Sequence, residues 1–177
     1  MKKKKFWTSD KLVSLAAMFV SLITLFIFIK QTNIIDTQNH LSVMPYLMVE
    51  SSNNSEAYTY RIDLENYGVG PAIIEERVIY YEGKEYRMEF EPFLRATIPE
   101  MDSVVVINQS TIQTGLALPA GGRRNIITVG GGKKSYETFL RIITKMQTKD
   151  LNYKIEYKSI YNDRWEINSE SDVPQEL

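Results

Sequence analysis

The hydrophobic positions of the chain follow two different patterns, one near the N-terminus and one along the remainder. From Leu12 to Ile29 the sequence "LVSLAAMFVSLITLFIFI" contains eighteen residues and no charge. As a helix this run is about 27 Å long, close to the roughly 30 Å hydrocarbon thickness of a bilayer. We therefore predict a transmembrane helix over residues 12–30, preceded by a basic segment, residues 1–11.

The residues that flank the apolar run bear on its processing and its orientation. Phe6 and Trp7 stand where interfacial aromatic residues lie, and Lys30 closes the far end. A cleaved signal peptide is the alternative, but its apolar region is shorter and ends at small residues, whereas this run ends in "FIFIKQTN". The N-terminal side carries five lysines: Lys2, Lys3, Lys4, Lys5 and Lys11. The positive-inside rule then predicts a single-pass protein of the cell membrane with a cytoplasmic N-terminus and an extracytoplasmic domain.

Small and weakly polar residues form a stripe along the predicted helix, at Ser14, Ala17, Ser21 and Thr24. Spacings of three and four residues place them on one helix face, and small side chains let helix backbones approach closely. The stripe predicts a homo-oligomer that packs through this face, and a narrow pore lined by the hydroxyls is a further hypothesis. The alternative is that each hydroxyl bonds to a carbonyl of its own helix.

The remainder of the chain alternates between apolar and polar positions, which is typical of half-buried antiparallel strands. After a polar connector, residues 31–42, the segment "YTYRIDLEN" puts every second residue, from Tyr58 to Leu64, on one face. The turn "YGVGPA" is predicted to use its glycines at positive φ, so that "IDLENYGVGPAII" forms the core hairpin. More strands are predicted in "SVVVINQ", "LAL", "NIITV" and "LNYKIEYKSIY", with helices in "SYETFLRIITKM" and near "EPFLRAT". The predicted fold is mainly β: residues 43–177 form an antiparallel β-sandwich, or a small barrel, with one attached helix.

Charge is distributed unevenly along the chain. Residues 36–114 carry five basic and thirteen acidic residues, whereas residues 115–149 carry seven basic residues and only one acid, Glu137. The basic block contains "AGGRRNIITVGGGKKS", with cations on two glycine-rich turns: Arg123, Arg124, Lys133 and Lys134. This segment is the candidate site for an anion, namely a phosphate, a nucleotide, single-stranded nucleic acid or a lipid headgroup. The alternative is that the basic residues of both turns are solvent-exposed and serve only solubility.

The sequence offers no constellation for catalysis or metal binding. It contains no cysteine and one histidine, His40, so a zinc site or a Ser–His–Asp triad has no basis. The paired acids Glu75–Glu76 and Glu89–Glu91 are interpreted as surface carboxylates, and in a strand Glu75 and Glu76 are expected on opposite faces. "GVGPAI" and "VGGGKKS" match neither a dinucleotide fingerprint nor a P-loop. We predict no enzyme, no cofactor, no catalytic residue and no metal ligand.

The motif "LENYGVGPAII" carries a family resemblance, through Asn66, Gly68, Gly70, Pro71 and Ala72. It resembles short bacterial proteins that join one N-terminal membrane helix to an immunoglobulin-like β-domain with an "NxGxGPA" pattern, and "YKSIYNDRW" is similar to the end of such proteins. The architecture also resembles the membrane channel effectors of antiphage systems of the Hailong type.

The resemblance implies a non-catalytic, oligomeric membrane protein. Its sandwich would sense an anionic ligand, such as a nucleotide or oligonucleotide, and control a channel-like helix bundle. If that ligand is a cytoplasmic nucleotide, the domain must lie in the cytoplasm, opposite to the orientation predicted above. The alternative is an extracytoplasmic, membrane-anchored module that binds protein or glycan. The partners predicted are membrane lipid, further copies of the chain, a nucleotide or single-stranded nucleic acid, and a partner protein.

Overall fold

The computed structural model describes residues 8–177, and its first element is one long helix. Helix α1 runs from Ser9 to Ser42 and includes residues 31–42, which the sequence analysis treats as a connector without a clear period. Its 34 residues extend about 51 Å, well beyond the hydrocarbon thickness of a bilayer. By length and composition α1 is able to cross a membrane. The lysines at positions 2–5, and Phe6 and Trp7, lie outside the described residues.

The chain divides into two compact units between Leu41 and Ser42, close to the predicted start of the folded domain at residue 43. In the second unit the described strands form two antiparallel sheets. The first has the order β1 (Leu47–Asn54), β2 (Thr59–Asn66), β7 (Arg123–Gly130), β5 (Val105–Gln109). The second has the order β10 (Ser171–Glu176), β9 (Arg164–Asn168), β8 (Asn152–Lys158), β3 (Ala72–Tyr81), β4 (Lys84–Tyr86), and β6 (Ala117–Leu118) pairs with β3.

Helices accompany these sheets. Helix α2 spans Phe90–Thr97, a 3₁₀ turn spans Pro99–Ser103, and α3 spans Lys133–Gln147, so both predicted helical segments are confirmed. The two sheets fit a β-sandwich with attached helices. The description "mainly β" is too strong, because among the described residues strands make up 36% and helices 37%. Helix α1 alone accounts for most of the helical share.

The buried apolar residues of the domain form two separate clusters. The helix cluster joins α2 and α3 to both sheets and comprises Ile79, Tyr81, Phe93, Leu94, Ile98, Met101, Val104, Ile127, Val129, Phe139, Ile142 and Met146. The strand cluster comprises Leu47, Leu64, Ala72, Ile74, Ile112, Leu118, Ile155, Tyr157, Trp165 and Ile167. In the strand cluster the Tyr157 hydroxyl accepts a hydrogen bond from the Leu47 N–H at 3.3 Å, and burial raises the pKa of Tyr157 to about 12. This bond ties the second sheet to the first strand of the other sheet.

The glycine motif does not form a hairpin, contrary to the prediction. It connects β2 in the first sheet to β3 in the second, so it is the crossover between the two layers. Gly68 and Gly70 are also not among the glycines with positive φ. They are required because the backbone of residues 43–46 passes against them: a Cβ on Gly68 would lie 2.4 Å from the Met44 carbonyl oxygen, and one on Gly70 would lie 1.8 Å from that of Val43.

Asn66 holds this crossover together with a fully buried side chain. Its Oδ1 accepts hydrogen bonds from the N–H groups of Tyr46 at 3.1 Å and Gly68 at 3.0 Å. Its Nδ2 donates to the carbonyls of Gly70 at 2.8 Å and Leu118 at 3.0 Å. One amide therefore satisfies the buried backbone of three segments that are far apart in the sequence.

We expect Asn66→Ala to lower the free energy of unfolding of the full-length chain by about 3 kcal/mol or more. The reason is that several buried backbone groups lose their partners, and each unpaired group costs roughly 1–3 kcal/mol. Urea unfolding in detergent micelles, followed by tryptophan fluorescence, measures the change.

The matched control is Asn54→Ala. Asn54 Oδ1 also accepts two backbone N–H groups, those of Glu56 at 3.1 Å and Ala57 at 2.9 Å, but at an exposed hairpin end. Water replaces those bonds, so the expected cost stays below about 1 kcal/mol. Equal costs for the two variants would contradict the role given to Asn66.

Candidate functional site

The four cations of the predicted anion site do not form one cluster. Arg123 and Arg124 are the first residues of β7, whereas Lys133 and Lys134 are the first residues of α3, beyond the far end of that strand. Seven residue steps along a strand cover about 23 Å. The structure therefore brings the arginines together at one end of β7 and the lysines together at the other.

The two arginines are engaged within the domain. The Arg123 guanidinium donates two hydrogen bonds to Glu65 Oε2, from Nε at 2.8 Å and from Nη2 at 2.5 Å. This pairing raises the pKa of Arg123. Arg124 donates from Nε to the carbonyl of Thr111 at 3.1 Å. The charge of Arg123 is thus compensated by an acid on the neighbouring strand, β2.

The two lysines are exposed on the first turn of α3. Lys133 Nζ lies 3.8 Å from a carboxylate oxygen of Glu137, one helical turn further on. Ser135, predicted near the helix start, is buried, and its hydroxyl accepts a hydrogen bond from the Val105 N–H at 2.8 Å. Anion binding by this end of the segment stays a prediction, and the lysines are its solvent-facing part.

The hydroxyls of the helix stripe bond to carbonyls of their own helix, as the alternative interpretation expects. Ser14 donates to the Asp10 carbonyl at 2.8 Å, Ser21 to that of Ala17 at 2.9 Å and Thr24 to that of Val20 at 2.8 Å. Such bonds satisfy the hydroxyls and leave a face of small residues that still permits close packing. Packing through this face, and a pore, stay predictions.

The paired acids of β3 are held in ion pairs. Glu75 accepts from Arg164 Nε at 2.6 Å, Arg164 also reaches Glu156 at 3.1 Å, and Lys154 lies 2.7 Å from Glu156 and 3.9 Å from Glu76. Strict alternation would separate Glu75 from Glu76, but a bulge in the β3–β8 pairing between Ile74 and Glu76 places both in one network.

The other acidic and titratable candidates are also paired. Glu91 pairs with Arg95, Glu89 pairs with Arg77, and His40 lies in α1 with its Nε2 4.0 Å from Asp36. In the part of the chain that the structure describes, no group of three or more His, Asp or Glu side chains could hold a metal ion.

A cavity between the two core clusters is the feature that sequence reasoning missed. It has a volume of about 310 Å³. One part of its wall consists of residues that pack on the helix cluster: Tyr60, Ile62, Phe90, Ile143 and Leu151. Another part packs on the strand cluster: Val49, Ile126 and Tyr153. These apolar side chains stay half-exposed because the two clusters do not close on each other.

Arg77 is the charged residue of β3 that lines this cavity. Its Nη2 lies 2.9 Å from Glu89 Oε1, and its Nη1 donates to the Ile112 carbonyl at 2.6 Å. Glu89 in turn accepts from the Ile112 N–H at 3.0 Å. Strict alternation from Ile74 would put Glu76 on the inner face, but the bulge moves the register by one and pairs Arg77 with Ile155 of the strand cluster. A bulge leaves no clear sequence signal, so Arg77 could not be singled out.

Because Lys133 and Lys134 are exposed whereas Arg123 is engaged by Glu65, substituting the lysines is the more direct test of anion binding. We expect Lys133→Gln combined with Lys134→Gln to weaken the binding of a fluorescent single-stranded oligonucleotide to the full-length chain. The salt dependence of log K should also fall by roughly 1.4, since each phosphate contact to a single strand contributes about 0.7. Fluorescence anisotropy over a salt series measures both quantities.

The control is Arg123→Gln, which should leave binding unchanged because Glu65 already compensates the charge of Arg123. The same loss of binding in the control and in the double lysine variant would contradict the assignment of the anion site to the lysines.

Comparison of the chain with models of protein families, with curated proteins and with solved structures gives no match.

Proposed function

We propose that the chain is a non-catalytic, single-pass membrane protein whose β-sandwich senses a ligand and controls the packing of its membrane helix in a homo-oligomer. The observation that carries this proposal is the junction between the helix and the domain. Helix α1 continues to Ser42, and β1 begins at Leu47, so only residues 43–46 lie between them.

The junction residues are bonded into the domain. The Tyr46 carbonyl accepts from the Tyr67 N–H at 2.8 Å, and the Met44 carbonyl accepts from those of Val69 at 3.0 Å and Gly70 at 3.3 Å. A flexible linker would let a domain move without moving its anchor. A short junction that is hydrogen-bonded on the domain side instead passes a displacement of the domain to the end of α1. This arrangement favours a signalling role over passive anchoring.

The surface of α1 supports the oligomeric part of the proposal. None of its described residues is buried within the chain, although the helix exposes many large apolar side chains. Lipid satisfies most of these in a membrane, and the face of Ser14, Ala17, Ser21 and Thr24 is where a second copy fits most closely. The lysine-rich N-terminus favours a cytoplasmic N-terminus and an extracytoplasmic domain in the cell membrane.

The ligand proposed for this sensor is an anion of the nucleotide or oligonucleotide class, held at Lys133 and Lys134. The exposure of both lysines at the start of α3, where the backbone N–H groups add positive potential, supports this choice. If the α1 helices of several copies pack into a bundle, the protein would act as a channel-like effector, as the resemblance to antiphage membrane effectors suggests. A cytoplasmic nucleotide would require the domain to lie in the cytoplasm, which is opposite to the orientation that the positive-inside rule predicts.

A second candidate is an extracytoplasmic interaction module with an immunoglobulin-like sandwich that binds a partner protein. The edge strand β5 favours it. This strand, "VVINQ", carries no charge, and Val105 and Ile107 are exposed on it. Unprotected edges accept an added strand from a partner.

The oligomer is tested by disulfide cross-linking, because the chain contains no cysteine. We expect Ser21→Cys in native membranes to form a cross-linked dimer under mild oxidation, since Ser21 lies in the centre of the proposed contact. The control is Phe19→Cys, which lies about 160° around the helix from Ser21 and should cross-link at least tenfold less. A flexible Gly/Ser insertion between Ser42 and Val43 should reduce the difference if the domain sets the packing. Equal yields at the two positions without the insertion would exclude packing through this face.

The side of the membrane is tested with Ser55→Cys, at the exposed tip between β1 and β2. We expect a membrane-impermeant maleimide to label this cysteine in intact cells, because the lysines place the domain outside. Labelling only after permeabilisation would place the domain inside and favour the cytoplasmic nucleotide sensor. A cysteine at Asn39, near the C-terminal end of α1, serves as a second reporter of the same side.

A further inference from the structure

The C-terminal part of α1 extends beyond the stretch that a bilayer covers. As a helix, residues 12–29 match the hydrocarbon thickness, Lys30 follows them, and α1 continues to Ser42. The extension, residues 31–42, adds about 18 Å of helix. None of the described residues of α1 is buried within the chain. In a membrane, lipid therefore covers the first part of the helix, whereas the extension stands in water.

The extension gains little helix stability from its own composition. Nine of the twelve residues in "QTNIIDTQNHLS" are β-branched, or are Asn, Asp, His or Ser, all of which form helices less readily than Ala or Leu. The hydroxyls of Thr32 and Thr37 donate to carbonyls of their own helix, those of Phe28 and Asn33, both at 3.0 Å. Short helices in water are marginal without packing, so a helix of this composition indicates that a partner covers one side of it.

A seven-residue repeat connects the extension to the membrane part of α1. One position of the repeat is occupied by Val13, Val20, Ile27, Ile34 and Leu41, the position three residues before it by Asp10, Ala17, Thr24, Gln31 and Gln38, and the position after it by Ser14, Ser21, Phe28, Ile35 and Ser42. In heptad notation these are positions d, a and e. Positions a and d face the second helix when two helices supercoil around each other. The stripe of small residues and the same positions of the extension thus lie on one continuous side of a supercoiled helix.

The extension supplies the informative residues of this repeat, because within the membrane stretch lipid favours an apolar residue at every position. Ile34, Ile35 and Leu41 are its apolar residues, each is more than half exposed, and all three fall at d or e. Glutamines occupy the a positions, so these residues do not form a continuous apolar face. Asp36 and His40 fall at f and c, on the other side of the helix, where His40 Nε2 lies 4.0 Å from an Asp36 carboxylate oxygen.

The seam of the extension comprises Gln31, Ile34, Ile35, Gln38 and Leu41. A second copy of the chain is the occupant that this seam fits. Copies in one membrane share their orientation, so their extensions emerge parallel and each residue can meet its own equivalent. The seam carries no charge, so this approach meets no like-charge repulsion. A glutamine side chain has both a donor and an acceptor, so Gln31 and Gln38 can each bond to the same residue of a second copy, and polar residues at a positions fix the register of a coiled coil.

We propose that residues 31–42 form a parallel, in-register coiled coil with the same segment of a second copy, through the seam defined above. This inference rests on the proposed homo-oligomer and deepens it, since it places part of the contact between copies outside the membrane. A lipid surface against a tilted extension, or the chain's own domain, would cover the seam without a second copy, and these occupants are outcomes of the test.

Disulfide cross-linking of the full-length chain in native membranes tests the seam. We expect Gln38→Cys, at an a position, to form a cross-linked dimer in about tenfold higher yield than Asp36→Cys, which lies about 160° around the helix. The two positions are two residues apart, so they lie at almost the same height above the membrane. Equal yields at the two positions would overturn the proposal.

A second pair of variants tests the apolar layer of the seam. In the Gln38→Cys background, Ile34→Glu places like charges across the seam and should lower the cross-linking yield about fivefold. Thr32→Glu adds the same charge at a b position, outside the seam, and should leave the yield unchanged. The same loss in both variants would exclude Ile34 from the contact between copies.

The Ser21→Cys variant, measured in the same membranes, separates this proposal from the proposed function. If Ser21→Cys cross-links above its control and Gln38→Cys does not, the homo-oligomer stands, lipid or the chain's own domain covers the extension, and the coiled coil is wrong. If Gln38→Cys cross-links and Ser21→Cys does not, the coiled coil stands and packing through the membrane face is wrong. If neither cross-links above its control, both proposals fail.

Discussion

The side chain of Asn66 is the constraint on which the domain depends. Its two ends bond to the backbone of residues 46, 68, 70 and 118, so the entry to β1, the crossover between the sheets and β6 are held by one buried amide. The backbone adds to it: the Asn66 N–H donates to the Gly122 carbonyl and the Gly121 N–H donates to the Asn66 carbonyl, both at 2.9 Å. Residues 43–46, which follow α1, are bonded at the same point, so the glycine motif and Asn66 together fix where the chain enters the domain.

The sequence predicts the elements of the domain better than it predicts their pairing. Alternation identifies the β2 segment, and the apolar spacing of "SYETFLRIITKM" identifies α3, because both signals are local. The crossover could not be recognised, since "YGVGPA" has the composition of a hairpin turn. Its glycines are needed for the approach of residues 43–46, which lie twenty or more positions earlier in the sequence. The helical continuation through residues 31–42 was missed for another reason, namely that a polar helix has no apolar face to reveal its period.

The same distinction applies to the candidate sites. The basic segment, residues 120–135, can be recognised from the sequence alone. In the structure, however, the length of β7 separates its arginines from its lysines, and Glu65 on β2 engages Arg123. Neither fact can be derived from residues 120–135 alone. Arg77 was overlooked because a bulge in β3 reverses the faces of the strand after Ile74. The residues that sequence reasoning misplaced are thus those whose surroundings are set by a neighbouring strand.

Two candidate sites of the domain have contacts on the same strand, β1. Lys133 and Lys134 begin α3, whose Tyr136 hydroxyl donates to Asn53 Oδ1 of β1 at 2.5 Å. Val49 and Ser51 of the same strand line the cavity. The first residue of β1, Leu47, is bonded to Tyr157 and directly follows residues 43–46, where Asn66 holds Tyr46. The proposed function therefore makes β1 the strand that a ligand has to displace, because β1 follows the Asn66 clamp at one end and is bonded to α3 near the other.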